Sequence, residues 1–222
     1  MEWYLLAPLL IFSIVVHEVA HAWVARREGD DTAERMGRIT LNPLRHLDPV
    51  GSFLVPLLLV LLPGNFLFGW AKPVLVDTRN YRHPVWSDIR VSMAGPASNF
   101  LLALFFTLLL VLAVLGTGGA GRGIAVGQNL WVSAAYYGIL VNLVLGIFNL
   151  IPIPPLDGSH VLRHLLPLPL RRGYDRFGRV GVLVILGVLF LVPGITGVLL
   201  LPIEWATNLL LVLAVVLLEV FR

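Results

Sequence analysis

The sequence predicts an all-α polytopic membrane protein, with about five transmembrane helices plus a re-entrant segment carrying a short extended strand. Three observations predict it. Of 222 residues, 58% are hydrophobic and 13% charged, with a mean hydropathy of +0.87, against roughly half apolar and a quarter charged in soluble domains. Apolar stretches recur at lengths near the roughly 20 residues that a spanning helix needs. Basic residues gather in particular loops, as Lys and Arg do on the cytoplasmic side. Those loops account for the excess of 16 basic over 13 acidic residues, so nucleic acid is not implied as a partner. The absence of Cys excludes disulfides, thiolate metal sites and a Cys nucleophile.

The first stretch, 3–25, follows Met1-Glu2, which is no positively charged leader, and it holds a polar cluster that a cleaved segment would waste. It reads as a retained span. Residues 51–68 are apolar but interrupted by Pro56 and by Pro63-Gly64-Asn65, so they either cross or dip in and return. Charge decides between these. The preceding loop carries Arg26, Arg27, Arg35, Arg38 and Arg45, and the following one Lys72, Arg79, Arg82 and Arg90. The connection after Pro154 carries Arg163, Arg171, Arg172, Arg176 and Arg179, whereas 116–130 holds only Arg122. A re-entrant 51–74 puts all three basic loops in the cytoplasm. The spans are then 3–25, 91–115, 131–151, 180–201 and 204–220 in one domain, 1–222. The tail turns near Pro202-Ile203-Glu204-Trp205 and kinks at Pro193-Gly194. The N-terminus is outside and Arg222 cytoplasmic.

Inside the first span sits His17-Glu18-Val19-Ala20-His21. Positions i and i+4 share a helix face, so both imidazoles can point at one metal ion. Glu18 stands beside them as a base for an attacking water. A polar patch in helix packing is the plainer explanation, but ionisable groups in a span are costly and usually functional. A catalytic zinc takes a third protein ligand. His46, His83, His160, His164 and the carboxylates are all candidates. Asp157 stands out, because the prolines of Asn149-Leu150-Ile151-Pro152-Ile153-Pro154-Pro155-Leu156-Asp157-Gly158 should unwind the third span. Unwound backbone at membrane depth is tolerated only where it lines a cavity or is buried in protein. In the re-entrant topology the first and third spans run in the same direction, which brings Asp157 to the side of the His motif.

HEVAH in a first span, GPASN at 95–99 and NLIPIPPLDG at 149–158 together resemble the site-2 protease family of intramembrane zinc metalloproteases. NPLRHLDPVG at 42–51 and GWAKPV at 69–74 resemble its compact prokaryotic branch, which lacks PDZ and CBS domains. The resemblance runs from the first span to Gly158. It implies one zinc ion on His17, His21 and Asp157, Glu18 as the catalytic base, and membrane-protein substrates, single-span ones among them. Asn149 then either holds substrate backbone or the oxyanion, or caps its own helix. Trp70 and Lys72 lie in a segment that Pro73 biases toward extended chain. That segment is either a substrate-pairing edge or a plain return strand.

Gly95 and Asn99 read as a close helix approach, His46 beside Asp48-Pro49 as a site neighbour or a loop turn, and the Arg171–Arg179 cluster as a topology anchor. His160 and His164 form either a second metal pair or, lacking a Glu between them, a cytoplasmic helix face. Two other functions compete: a zinc or proton-coupled transporter using the same His/Asp cluster, and an inactive scaffold that binds single-span proteins. The sidedness is directly testable. In this Cys-free chain a Cys at Thr78 should be labelled from the cytoplasm and one at Thr117 from outside. External labelling at Thr78 would mean that 51–68 crosses the bilayer.

Overall fold

Prolines and glycines set where the apolar helices stop. The computed structural model describes residues 3–48, 51, 72–117, 126–178 and 180–221. In chain order these form α1 (Trp3–Arg27), α2 (Thr32–Arg35), short 3₁₀ turns at Pro43–Arg45 and Thr78–Asn80, α3 (Pro84–Gly116), α4 (Leu130–Asn149), α5 (Gly158–Leu165), α6 (Leu168–Phe177), α7 (Gly181–Leu191) and α8 (Ile195–Val220). Among the described residues there is no strand. The expected re-entrant stretch lies outside them except for Gly51 and residues 72–74, and 72–76 is irregular coil. Among the described residues, four helices are long and apolar enough to cross a membrane: Tyr4–Arg27, Pro84–Gly116, Leu130–Asn149 and Ile195–Val220.

The tail differs from the expected pair of spans, 180–201 and 204–220. The expected turn at Pro202–Trp205 is absent, because α8 runs unbroken through Pro202. The break falls instead at 192–194. Pro193 lacks an N–H and drives Val192 into an extended conformation (ψ 103°). Gly194 then takes φ +79°, a left-handed conformation natural to glycine. Pro202 removes only one backbone hydrogen bond, and the helix absorbs it. With 11 residues, α7 is about 16 Å long, roughly half the ~30 Å hydrocarbon core.

Packing divides the chain into two units, 14–95 and 1–13 with 96–222. In the second of these, Phe106, Leu110 and Val114 of α3 pack with Val132, Ile139 and Leu143 of α4 and Ile203, Ala214 and Leu218 of α8. Its polarity is inverted relative to a soluble core. Leu101 and Leu112 of α3 are 67% and 63% exposed, while Asn99 and Asn142 are fully buried. Exposed leucine with buried amide suits a hydrocarbon surround. The amides satisfy one another: Asn99 Nδ2 donates to Asn142 Oδ1 (2.9 Å), and Asn142 Nδ2 donates to Ser13 Oγ (2.9 Å) and the Gly138 carbonyl (2.8 Å).

After Asn149 the helix ends as foreseen, and 150–157 is a run of turns and bends. Gly158 makes the return possible, since a Cβ there would stand 2.2 Å from the Leu150 carbonyl oxygen. The Tyr174 hydroxyl donates to the Pro152 carbonyl (2.9 Å) and reaches that of Ser159 (3.3 Å). Arg171 caps α5 through the carbonyls of His164 and Leu166 (both 2.8 Å), and Arg163 pairs with Asp175 at 2.7 Å. Arg171 of the Arg171–Arg179 cluster, and Arg163 before that cluster, thus have structural partners.

In the unit 14–95, a polar clasp follows α1. The buried Asp30 carboxylate accepts from the Thr32 amide and hydroxyl, the Asp77 amide and Asn80 Nδ2. Burial pushes its pKa up, but these hydrogen bonds outweigh it and hold the group below the ordinary value. Glu28 accepts from Ser87 Oγ (2.6 Å) and Arg90 (3.0 Å), first of which the Ser87 bond lowers its pKa. Burial, together with surrounding carboxylates such as Asp88, raises that of Tyr81. The clasp needs Gly29, which sits at φ +112° and where an added Cβ would stand 2.8 Å from the Asn80 carbonyl oxygen.

One close helix approach is equally specific. A Cβ on Gly138 of α4 would meet the Phe106 ring of α3 at 2.4 Å. Gly138→Val should therefore destabilise by about 1–3 kcal/mol, the usual cost of overpacking. Thermal unfolding in detergent should show partial recovery in Gly138→Val with Phe106→Ala.

Candidate metal centre

The buried face of α1 carries Ser13, His17 and His21, one helical turn apart. His17 and His21 are 7% and 9% exposed. Their Nε2 atoms stand 3.0 Å apart, and the rings meet edge to face with centroids 4.7 Å apart. His21 Nδ1 lies 2.7 Å from the Val91 carbonyl oxygen of α3. A carbonyl can only accept, so Nδ1 carries the proton and Nε2 keeps its lone pair directed at His17. This is the arrangement that orients a metal-ligating imidazole. Two ligand nitrogens on a tetrahedral zinc, each ~2.0–2.1 Å from it, lie about 3.3 Å apart. The observed pair fits that demand.

Gly95 of α3 closes the space beside the pair. A Cβ there would fall 2.4 Å from His21 Nε2 and 2.5 Å from His17 Nε2, the two nitrogens that face each other. The sequence reading gave Gly95 a packing role only. Its place against the imidazole nitrogens makes it part of the candidate centre, and the GPASN motif was the available signal. The Val91 carbonyl was not legible, because a backbone oxygen has no residue signature.

Glu18 turns off this face. Its Oε2 accepts from the Val74 backbone N–H at 2.9 Å. Lys72 lies two residues before Val74, with its side chain exposed and its backbone N–H donating to the His46 carbonyl (2.8 Å). The buried His46 ring is a loop pin, with Nε2 at 2.9 Å from the Thr40 carbonyl oxygen. Trp70 lies outside the described residues.

In the other unit, Asp157 immediately precedes α5 with φ −58° and ψ −39°, and its carboxylate makes no capping bond to that helix. Its carbonyl accepts from the His160 N–H (3.1 Å). Asn149 Nδ2 donates to the Leu145 carbonyl (2.9 Å), the helix-capping role weighed from the sequence. His160 and His164 belong to no group of three metal-capable side chains among the described residues.

The Gly95 contact predicts a selective defect. Gly95→Ala should keep the fold while lowering zinc affinity about tenfold or more, in the range seen when groups supporting a metal site are altered. Zinc content and thermal unfolding measured together on the purified variant check this.

Residues 5–120 and 119–192 match the model of peptidase family M50. YwhC of Bacillus subtilis, a candidate zinc metalloprotease by name, is 40% identical over 188 residues, 83% of this chain and 78% of its own. The candidate zinc metalloproteases Rip2 of Mycolicibacterium smegmatis and of Mycobacterium tuberculosis (strain H37Rv) are 35% and 33% identical. Those alignments cover 71% and 84% of this chain, but 56% and 66% of the relatives. No solved structure matches. With a match across most of its length and an imidazole pair suited to zinc on a membrane-length helix, the chain belongs to peptidase family M50, the site-2 protease family of membrane zinc metalloproteases.

Proposed function

We propose that this protein hydrolyses peptide bonds within or next to the transmembrane segments of other membrane proteins, with one zinc ion on His17, His21 and Asp157 and with Glu18 as general base. Each of the three ligands offers one donor atom, an imidazole nitrogen or a carboxylate oxygen. The observation that carries the reading is the buried Nε2 pair, 3.0 Å apart, with a carboxylate on the next residue.

When bound, zinc lowers the pKa of its water toward neutrality and polarises the scissile carbonyl. Glu18 accepts a proton from the attacking water and delivers it to the leaving amine as the C–N bond breaks. His21, held through Nδ1 by Val91, keeps its ligand face fixed. The bilayer-facing helices admit a membrane-embedded substrate, whose helix must unwind locally to present a peptide bond. Asn149, Lys72 and Trp70 are the proposed substrate contacts, with Asn149 Oδ1 and one amide hydrogen remaining beyond the bond to Leu145. The basic loops support an external N-terminus, a cytoplasmic C-terminus and a centre in the cytoplasmic half. The transporter alternative gains no support from the comparisons, since the relatives are named for zinc proteolysis.

The test is zinc content, cleavage of a labelled transmembrane peptide and zinc uptake into vesicles. Glu18→Gln should keep full zinc and lose cleavage by about 10²–10⁴-fold. Asp157→Ala should lose both cleavage and zinc occupancy, whereas His160→Ala and His164→Ala keep their zinc. Wild-type uptake without cleavage would favour a carrier. Full zinc in Asp157→Ala would remove that residue from the ligand set.

A further inference from the structure

Glu18 is an unusual base in being tied to a distant stretch of backbone. Its Oε2 accepts from the Val74 N–H at 2.9 Å, across 56 positions of sequence. That amide is itself anchored on both sides. Two residues upstream, the Lys72 N–H donates to the carbonyl of the buried His46 (2.8 Å). Three residues downstream, the Asp77 N–H donates to Asp30 Oδ2 (2.7 Å), and the Asp30 carboxylate is itself held by Thr32 and Asn80. Pro73 fixes φ within the short run between the anchors. The Val74 amide therefore has a defined position that does not depend on Glu18.

A glutamate has three rotatable side-chain bonds, and on α1 it can sweep a wide arc. A charge-assisted hydrogen bond to a fixed amide selects one direction from that arc. It engages Oε2 and leaves Oε1, which makes no other hydrogen bond among the described residues, to receive a proton. We propose that the Val74 backbone amide is the positioning group for the general base. It sets where Glu18 meets the attacking water, and it acts through Glu18 without touching substrate. The inference rests on Glu18 being the base, as proposed above, and adds how that base is aimed. The side chain of residue 74 is incidental to the role, so sequence alone gives no sign of it.

The experiment replaces Val74 by its α-hydroxy acid, which converts one amide to an ester and removes only the N–H. The same ester at Leu75, whose N–H makes no hydrogen bond among the described residues, is the control for ester chemistry. Cleavage of a labelled transmembrane peptide is followed with zinc content and thermal unfolding. The expected result at Val74 is a kcat lowered by about 10- to 100-fold, the range for a hydrogen bond to a charged group. KM should stay within about twofold and zinc should remain at the wild-type level, since a group used only in the chemical step alters kcat. The Leu75 ester should match wild type, and Val74→Ala, which keeps the amide, should lose less than the ester. An unchanged kcat in the Val74 ester overturns the proposal. So does a raised KM at constant kcat, which would make the segment a binding element, or a loss of zinc or fold. An equal loss in Val74→Ala overturns it as well, because the side chain would then be responsible. If wild-type protein cleaves no transmembrane peptide, the protease reading itself fails, and that outcome is distinct from all of these.

Discussion

A polar group placed among leucine and phenylalanine side chains facing hydrocarbon must have its hydrogen-bonding valences met from inside the protein, since no water stands by to meet them. This constraint reaches every functional feature of the chain. His21 on α1 spends Nδ1 on a carbonyl of α3, and only the opposite nitrogen remains for a metal. Asn99, Asn142 and Ser13 close a buried circuit among three helices. Their burial is complete while neighbouring leucines are exposed. An unmet amide in such a position would cost several kcal/mol, so the circuit fixes the rotation of each helix about its axis.

The same constraint explains the proline-rich segment after α4. Residues 150–157 give up helical hydrogen bonds, and the surroundings replace part of them. Tyr174 supplies a donor to the Pro152 carbonyl, and proline contributes no N–H in need of a partner. Gly158 lets the chain return within 2.2 Å, as a Cβ would measure it, of the Leu150 oxygen. A larger residue would push Asp157 away from the end of α4. The Leu-Asp-Gly triplet is therefore one geometric device: the glycine sets the turn and the turn sets where the aspartate stands.

Much of this was legible in the sequence, for physical reasons that differ by element. The spans at α1, α3 and α4 follow from length and apolarity, and the end of α4 from its prolines. The imidazole pair follows from helical periodicity. The tail was misjudged because Pro202-Ile203-Glu204-Trp205 has the polarity of a turn, yet one missing hydrogen bond does not stop a 26-residue helix. The stronger breaker was Pro193 followed by a left-handed Gly194. Asn149 kept two readings, and its observed bond to Leu145 engages one of its donors. What composition could not reveal were the partners made of main chain, the Val91 carbonyl and the Val74 amide. Any residue presents the same backbone atoms, so their roles appear only once distant segments are brought together.

Five residues of α1 carry two proposed tasks that helical geometry keeps apart. Successive residues are rotated by about 100°, whereas i and i+4 differ by about 40°. His17 and His21 therefore share a face, and Glu18 leaves it. The histidine face meets Val91 and Gly95 of α3, and the glutamate meets the coil at Val74. The imidazole pair and the proposed base thus depend on different parts of the chain, one a helix and the other an irregular segment between two hydrogen-bonded anchors. A helix packed through a glycine admits little movement, which suits atoms that must hold an ion. The coil at Val74 is pinned at Lys72 and Asp77, and it carries the amide proposed to aim the base. Two separate supports are in this way given to neighbouring residues by the rotation of a single helical step.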